Sequence, residues 1–251
     1  ARVRLEEKLL MFEELVREQG ELFPFSLEEV DRYLEDYVQK DFPTVSHSPE
    51  YLAAYQPAYR VVRKEYSRFP ELLAAMEKCL QEKGRVNVAI DGNSGSGKTD
   101  AARLIAGLFD SNVFHTDDFF LPRAKRTPER MAEVGGNMDR ERFQNEVCEK
   151  VRAEQPFSYR VFDCDCMKLG ETVEVQPKPV NIFEGSYCMH PDLREYYDIK
   201  VFLSIPPQMQ KARILERNGS FMLRRFLEEW IPRENAYFDQ MKVREACDFE
   251  L

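Results

Sequence analysis

Residues 85–100 read RVNVAIDGNSGSGKTD, and this stretch decides the fold. A short apolar run at residues 86–90 leads into the motif GNSGSGKT at residues 92–99, and residues 101–106 have the composition of a helix. A strand, a glycine-rich turn and a helix in this order form the context that a phosphate-binding loop requires. Glycines let the backbone turn so that successive N–H groups face one anion, and the helix N-terminus adds its positive dipole.

The loop predicts a nucleoside-triphosphate site that uses ATP and Mg²⁺. In this interpretation Lys98 supplies a mobile positive charge for the outer phosphates, and the Thr99 hydroxyl can bind the magnesium ion. The alternative is a surface turn rich in glycine and serine that happens to precede a lysine. The predicted nucleotide-binding residues are Gly92, Asn93, Ser94, Gly95, Ser96, Gly97, Lys98 and Thr99.

Composition limits the class of protein. The chain has 251 residues, of which 43% are hydrophobic and 32% charged, as in a globular protein. The net charge of −9 argues against a general binder of nucleic acid or anionic membranes, because such binding needs clustered cations. We find no apolar run long enough to span a bilayer. The six cysteines form no disulfide framework, which predicts reduced thiols in the cytoplasm.

Residues 1–83 predict a helical N-terminal extension. Ser26 and Glu29 have the spacing of a capping box, and residues 70–83 read as a last helix with Gly84 as its stop. We expect the extension to pack on the core, with a homo-oligomer contact or a cover over the substrate as the alternatives. The second predicted domain is residues 84–251.

From residue 86 onward, strands and helices alternate. The predicted strands include residues 113–116, 180–183 and 199–205, while residues 157–166 and 172–175 read as a hairpin-like pair beside the main sheet. This order predicts an α/β fold with a mostly parallel sheet covered by helices on both faces, the three-layer α/β/α arrangement of P-loop NTPases.

Acidic residues follow two further strands. Either Asp117 or Asp118 ends one strand and Glu184 ends another, and parallel strands place their carboxyl ends at one edge of the sheet. Arg213 and Arg217 belong to a basic helix pair around residues 218–219. Phosphoryl transfer needs carboxylates that hold Mg²⁺ and orient a hydroxyl, together with cations over the transferring phosphate. We find no Asn-Lys-x-Asp motif for guanine and no Asp-x-x-Gly switch motif, so a kinase is favoured.

Residues 86–251 resemble the uridine kinases and their relatives, the nicotinamide riboside kinases and phosphoribulokinases. Residues 117–122, DDFFLP, resemble the Asp-Asp-Phe-Phe-x-Pro block of the riboside kinases. Residues 137–143, NMDRERF, resemble a uridine kinase block that holds the sugar. Phe162-Asp163 stands where those enzymes carry Tyr-Asp, and Phe183-Glu184-Gly185 matches their Phe-Glu-Gly.

The resemblance implies roles for individual residues. Thr99, Asp117 and Glu184 would surround Mg²⁺, and Asp117 would also act as the base toward the acceptor hydroxyl. Arg213 and Arg217 would belong to the lid and, with Lys98, take part in catalysis. The residues implied in binding the acceptor are Asp117, Phe120, Asp139, Phe143, Phe162 and Asp163.

The sequence also departs from this family. Residues 164–167, CDCM, replace the histidine with which uridine kinases read the pyrimidine, and the lid turn is shorter by an arginine. The resemblance implies a nucleoside as the acceptor, and because these departures alter the base-reading segment, nicotinamide riboside or another sugar or polyol is the alternative. A nucleotide-binding regulatory module with a degenerate acceptor site is the alternative from another class. Phosphorylation of a protein is disfavoured.

Trp230 is expected to lie in the hydrophobic core.

Overall fold

The structure is a computed structural model that describes residues 2–18, 26–43, 46–56, 63–164 and 166–251. Two compact units divide the chain, residues 1–61 and residues 62–251. The first unit contains the helices α1 (Arg2–Glu18), α2 (Leu27–Gln39) and α3 (Pro49–Tyr55). The predicted capping box starts α2, because the Ser26 hydroxyl accepts from the Glu29 N–H while the Glu29 carboxylate accepts from the Ser26 N–H. Val16, Val30 and Leu34 form a small buried cluster between α1 and α2.

The second unit contains seven strands among its described residues. They are β1 (Val86–Gly92), β2 (Ser111–His115), β3 (Phe157–Asp163), β4 (Lys168–Val175), β5 (Val180–Glu184), β6 (Ile199–Leu203) and β7 (Phe249–Glu250). Five of them form a parallel sheet in the order β2-β5-β1-β6-β7, and β3 and β4 form a separate antiparallel hairpin. Glu184 is in register with His115 on one side and with Ile90 on the other, so these strand ends are neighbours.

Helices follow the strands and cover both faces of the sheet. The α-helices of this unit are α4 (Pro70–Lys83), α5 (Lys98–Ala106), α6 (Pro128–Ala132), α7 (Arg140–Phe143), α8 (Glu149–Arg152), α9 (Pro207–Arg225) and α10 (Ile231–Gln240). Two π-helical turns, Gln144–Cys148 and Phe226–Trp230, join α7 to α8 and α9 to α10. Short 3₁₀ turns lie at Lys64–Tyr66, Thr116–Phe119, Arg123–Lys125 and Pro191–Tyr196.

The core has two halves because successive strand residues point to opposite faces. Val88 and Ile90 of β1 pack with Leu72 of α4 and Ile105 of α5 in one cluster. Ala89 belongs to a second cluster, with buried residues of the segments that follow β2 and β5 and of α10. The sheet therefore forms the middle layer of three, which confirms the predicted α/β fold with a mostly parallel sheet.

Several predicted element boundaries differ from those observed. β6 ends at Leu203, two residues before the predicted end at residue 205. The two compact units divide between residues 61 and 62, and helix α4 packs in one core with β1. The predicted domain boundary after residue 83 stays a prediction.

Candidate functional site

The loop between β1 and α5 turns sharply at glycines. A Cβ atom on Gly92 would lie 2.1 Å from the Leu203 carbonyl oxygen, so a larger residue cannot replace it without displacing the backbone. Gly97 has φ 98° and caps α5, whose first N–H groups have no acceptor within the helix. Asn93 Oδ1 and Ser96 Oγ are buried without a hydrogen-bond partner in the described part of the chain. The free N–H groups and the Ser96 hydroxyl can donate to an anionic ligand, whereas Asn93 Oδ1 can only accept.

Lys98 and Thr99 begin α5 and make different contacts. Lys98 Nζ donates to the Gly92 carbonyl at 2.8 Å and to the Asn93 carbonyl at 3.2 Å. The ammonium group therefore lies over its own loop. The Thr99 hydroxyl donates to Glu184 Oε1 at 3.0 Å, which joins the loop to the end of β5.

The Glu184 carboxylate, at the end of β5, contacts one residue that follows β1 and one that ends β2. Its side chain is only 5% exposed, and Oε1 accepts from Thr99 and from His115 Nδ1, which lies 2.5 Å away. The hydrogen bond to Glu184 raises the pKa of His115, although partial burial opposes the charged imidazolium. His115 is a site residue that the sequence analysis did not predict. The available signal was its position at the end of the neighbouring strand, at the same edge of the sheet as Glu184.

Asp117 and Asp118 follow β2 in one 3₁₀ turn but face different surroundings. Asp117 lines the cavity described below, and the surrounding protein raises the pKa of its carboxyl by partial desolvation, with the Lys98 charge opposing this effect. Asp118 does not line that cavity. Burial raises its pKa as well, and it forms a hydrogen bond with Tyr159. The choice left open by the sequence therefore falls on Asp117.

A cavity of about 600 Å³ lies at the carboxyl edge of the sheet. The predicted site residues on its wall are Ser94, Gly95, Gly97, Lys98, Thr99, Asp117, Phe120, Glu184 and Arg217. The others on its wall are Asp100, Thr116, Asn137, Met138, Gly185, Ser186, Tyr187, Phe226, Trp230 and Glu234. The loop, the two acids and one arginine therefore converge on one space.

Four predicted acceptor residues do not line this cavity. Asp139 is buried, caps α7 through the N–H of Arg142 and pairs with Lys125. Phe143 and Phe162 are buried, and Asp163 accepts from the Cys166 N–H. Their roles in acceptor binding stay predictions.

Arg213 and Arg217 lie on the exposed side of α9. Arg213 Nη1 donates to the Gly95 carbonyl at 3.1 Å, and Arg217 Nε donates to Asn218 Oδ1 at 2.8 Å. Both arginines line a second depression of about 370 Å³ on the outer side of the loop, opposite Phe69. Gly219, with φ 76° and ψ 172°, interrupts α9 just beyond Arg217.

Asp91 lies fully buried behind the loop. Its carboxylate accepts from the N–H groups of Gly92 at 2.7 Å and Met189 at 3.0 Å, and from the Tyr237 hydroxyl at 2.8 Å. Burial raises its pKa to about 6, with the Lys98 charge and these donors opposing the rise. Asp91 therefore ties β1 to α10 directly under the phosphate-binding loop.

Two further residues of the cavity wall are Glu234 in α10 and Trp230 just before it. From the sequence, Glu234 is not predicted as a site residue and Trp230 is placed in the core. Glu234 is 4% exposed and accepts from the Ser94 N–H at 3.0 Å and from Ser186 Oγ at 3.1 Å. Trp230, expected in the core, lies half-buried along the cavity and packs edge-on against Phe226. Trp230 and Glu234 lie on the same helix face as the buried Tyr237, but this spacing does not by itself separate Glu234 from an acid on a solvated face.

No family model matches the sequence, and the search of curated proteins finds no match. Solved structures share its fold. A Bacillus stearothermophilus protein provisionally assigned as a uridine kinase matches with TM-score 0.52 and 20% identity, over 72% of this chain and 99% of that one. A Silicibacter sp. TM1040 protein provisionally assigned as a fructose transport system kinase matches with TM-score 0.56 and 24% identity, over 72% and 98%. D-glycerate 3-kinase from Cryptococcus neoformans var. grubii matches with TM-score 0.51 and 16% identity, over 72% and 90%.

These likenesses concern the fold, because all three identities are below 25%. The chain shares the α/β fold of P-loop kinases of the uridine kinase type, as the resemblance in its motifs predicts. None of the helices that the structure describes has the length and apolar character needed to cross a membrane.

Proposed function

We propose that this protein is an ATP-dependent phosphotransferase that moves the γ-phosphate of ATP to a hydroxyl group of a small molecule. The observation that carries the proposal is the convergence of Lys98, Thr99, Asp117 and Glu184 on one cavity. A phosphoryl group bound by the glycine-rich loop would lie beside both carboxylates. Phosphoryl transfer depends on this placement of cations and acids around one terminal phosphate.

Mg²⁺ is the metal that fits these residues. Thr99, Asp117 and Glu184 offer oxygen donors, and magnesium commonly takes one or two carboxylates and completes its shell with phosphate oxygens and water. Within the described ranges, no group of three or more His, Cys, Asp and Glu side chains is arranged to hold a metal alone. The ion would neutralise charge on the β- and γ-phosphates while these residues hold them in position.

Asp117 is the proposed base. A carboxylate is a better proton acceptor when its pKa lies above the usual aspartate value, and burial shifts Asp117 in that direction. Arg213 and Arg217 supply positive charge on the outer side of the loop, where a lid that moves at Gly219 would bring them toward the phosphates.

The proposed acceptor is a nucleoside, and nicotinamide riboside or another sugar or polyol is the alternative. Four aromatic side chains on the cavity wall, Phe120, Tyr187, Phe226 and Trp230, suit a molecule with a flat ring. The solved kinases of the same fold are assigned to uridine, fructose and glycerate, so the fold itself does not choose among these acceptors. The cytoplasmic location and the homo-oligomer stay predictions.

A two-step experiment tests this function. Thermal shift with a non-hydrolysable ATP analogue and Mg²⁺ is measured first, alone and with a panel of nucleosides and sugars. ADP release with ATP is then measured for each compound that raises the melting temperature further. We expect at least one compound to stimulate ADP release. Slow hydrolysis that no compound stimulates would instead support a nucleotide-binding regulatory module.

A further inference from the structure

Glu234 places a further, buried carboxylate on the wall of the cavity, beside the glycine-rich loop and the segment after β5. It belongs to α10, and its carboxylate accepts from both the N–H and the hydroxyl of Ser94 and from the hydroxyl of Ser186. Ser94 belongs to the phosphate-binding loop, whereas Ser186 follows β5. The carboxylate therefore lies between the loop and the segment after β5.

The position of this carboxylate is fixed. The residue is 4% exposed, and three donors hold its two oxygens, so rotation away from the cavity would leave buried hydrogen bonds unmade. Gln210 Nε2 donates to the Ser94 carbonyl at 2.9 Å and holds the same loop residue from α9. A ligand that enters the cavity therefore meets a carboxylate that does not move aside.

The cavity has an uneven charge distribution. Among the described residues on its wall, the cations are Lys98, which contacts the glycine-rich loop, and Arg217 of α9. Four acids also line the wall: Asp100, which is exposed and pairs with Arg103, and the more buried Asp117, Glu184 and Glu234. Mg²⁺ would offset the charge of Asp117 and Glu184, whereas the hydrogen bonds described for Glu234 come from Ser94 and Ser186 and involve no cation.

Two basic side chains near the cavity, Arg130 and Arg142, already donate hydrogen bonds to other residues. Arg130 donates to the Met138 carbonyl, and Arg142 donates to the Asp118 carbonyl. Arg233 is exposed and does not line the cavity. The ion pairs that hold the basic residues are Lys125 with Asp139, Arg130 with Glu141 and Arg142 with Glu146.

We infer that Glu234 is a specificity-determining residue that selects acceptors without negative charge. This inference rests on the proposed function and narrows it to neutral or cationic hydroxyl compounds, such as nucleosides, and away from sugar phosphates and hydroxy acids. A like charge placed close to a fixed, desolvated carboxylate opposes binding, and this repulsion is a common source of specificity.

A matched acceptor pair that differs by one carboxylate tests the inference. The pair is uridine with orotidine, its 6-carboxy derivative, and kcat/KM and the dissociation constant are measured for each compound. The proteins are the wild type, E234Q, which removes the charge at nearly constant shape, and E234D, which keeps the charge. Glu229 is exposed and pairs with Arg225 outside the cavity, so E229Q is the matched control for loss of one charge nearby.

We expect the wild type, E234D and E229Q to prefer the neutral member of the pair by about 10- to 100-fold, and E234Q to reduce that preference about tenfold. Equal use of both members by the wild type, or an unchanged preference in E234Q, would overturn the inference. Binding with the expected preference but without phosphorylation would contradict the kinase function and leave the charge selection standing. Failure of every compound to bind the Mg²⁺–ADP complex would overturn the charge selection as well.

Discussion

The Thr99 hydroxyl donates to Glu184 Oε1 at 3.0 Å, across a sequence separation of 85 residues. This contact joins the first turn of α5 to the end of β5. It therefore places Thr99, the residue after Lys98, beside the acid that ends the neighbouring strand. Asp117, from the strand beyond, lines the same cavity. Oxygen donors from three consecutive strand ends of the sheet thus converge at one place, and the predictions below depend on this convergence.

Replacement of Lys98 by alanine is expected to abolish turnover, with a loss of at least about 10²-fold, because no other lysine on the described cavity wall contacts the loop. The measurement is ADP release at saturating acceptor. Lys78→Ala removes a lysine that is 75% exposed, pairs only with Glu82 and lies outside the cavity, so it should retain full activity. Equal activity of both variants would remove Lys98 from the mechanism.

Asp117→Asn is expected to lower kcat by about 10²-fold or more while ATP binds almost as in the wild type, because the amide cannot accept the hydroxyl proton. Asp118→Asn is the matched control, since the neighbouring carboxylate faces Tyr159 instead of the cavity. Steady-state kinetics and nucleotide titration separate the two effects. Full activity in the Asp117 variant would rule out its assignment as the base.

Glu184→Gln is expected to raise the Mg²⁺ concentration needed for half-maximal activity by about tenfold or more, because a neutral amide is a weaker magnesium ligand than a carboxylate. A chelator should stop turnover by the wild type, and added Mg²⁺ should restore it. The rate at each metal concentration is the measurement. A magnesium dependence identical to that of the wild type would contradict the assignment of Glu184 to the metal.

Asp91 is expected to make stability depend on pH. Its pKa is raised from 3.8 to about 6 in the folded protein, so the folded state binds the proton more tightly than the unfolded state. The stabilisation is complete below pH ~4 and is lost as pH rises through about 6, by on the order of 3 kcal/mol. Urea unfolding of the wild type and Asp91→Asn between pH 4 and 7.5 measures it. A constant difference in unfolding free energy between them would refute the raised pKa.

Local patterns predicted the parts of the site that depend on adjacent residues. The glycine-rich loop and the helix that follows it were predicted from a few neighbouring positions, because backbone conformation there is set locally. The acids at the strand ends could be placed because parallel strands share one carboxyl edge. Their convergence could be predicted from the order of strands and helices along the chain, and not from the secondary-structure propensity of single residues.

Contacts between distant segments escaped prediction. Glu234 bonds to Ser94, 140 residues earlier, and no local pattern distinguishes it from an acid on a solvated helix face. Trp230 was expected in the core because large aromatic residues are usually buried, yet it forms part of the cavity wall. Strand ends alone did not separate Asp117 from Asp118; the resemblance singled out Asp117, and the 3₁₀ turn places that residue on the cavity wall.

Phosphorus NMR of the reaction mixture tests the central claim most directly. With ATP, Mg²⁺ and an acceptor that passes the thermal-shift panel, we predict a new phosphomonoester signal that grows in step with ADP and is absent with Lys98→Ala. Formation of orthophosphate alone, at a rate that no acceptor changes, would contradict phosphoryl transfer to a hydroxyl group.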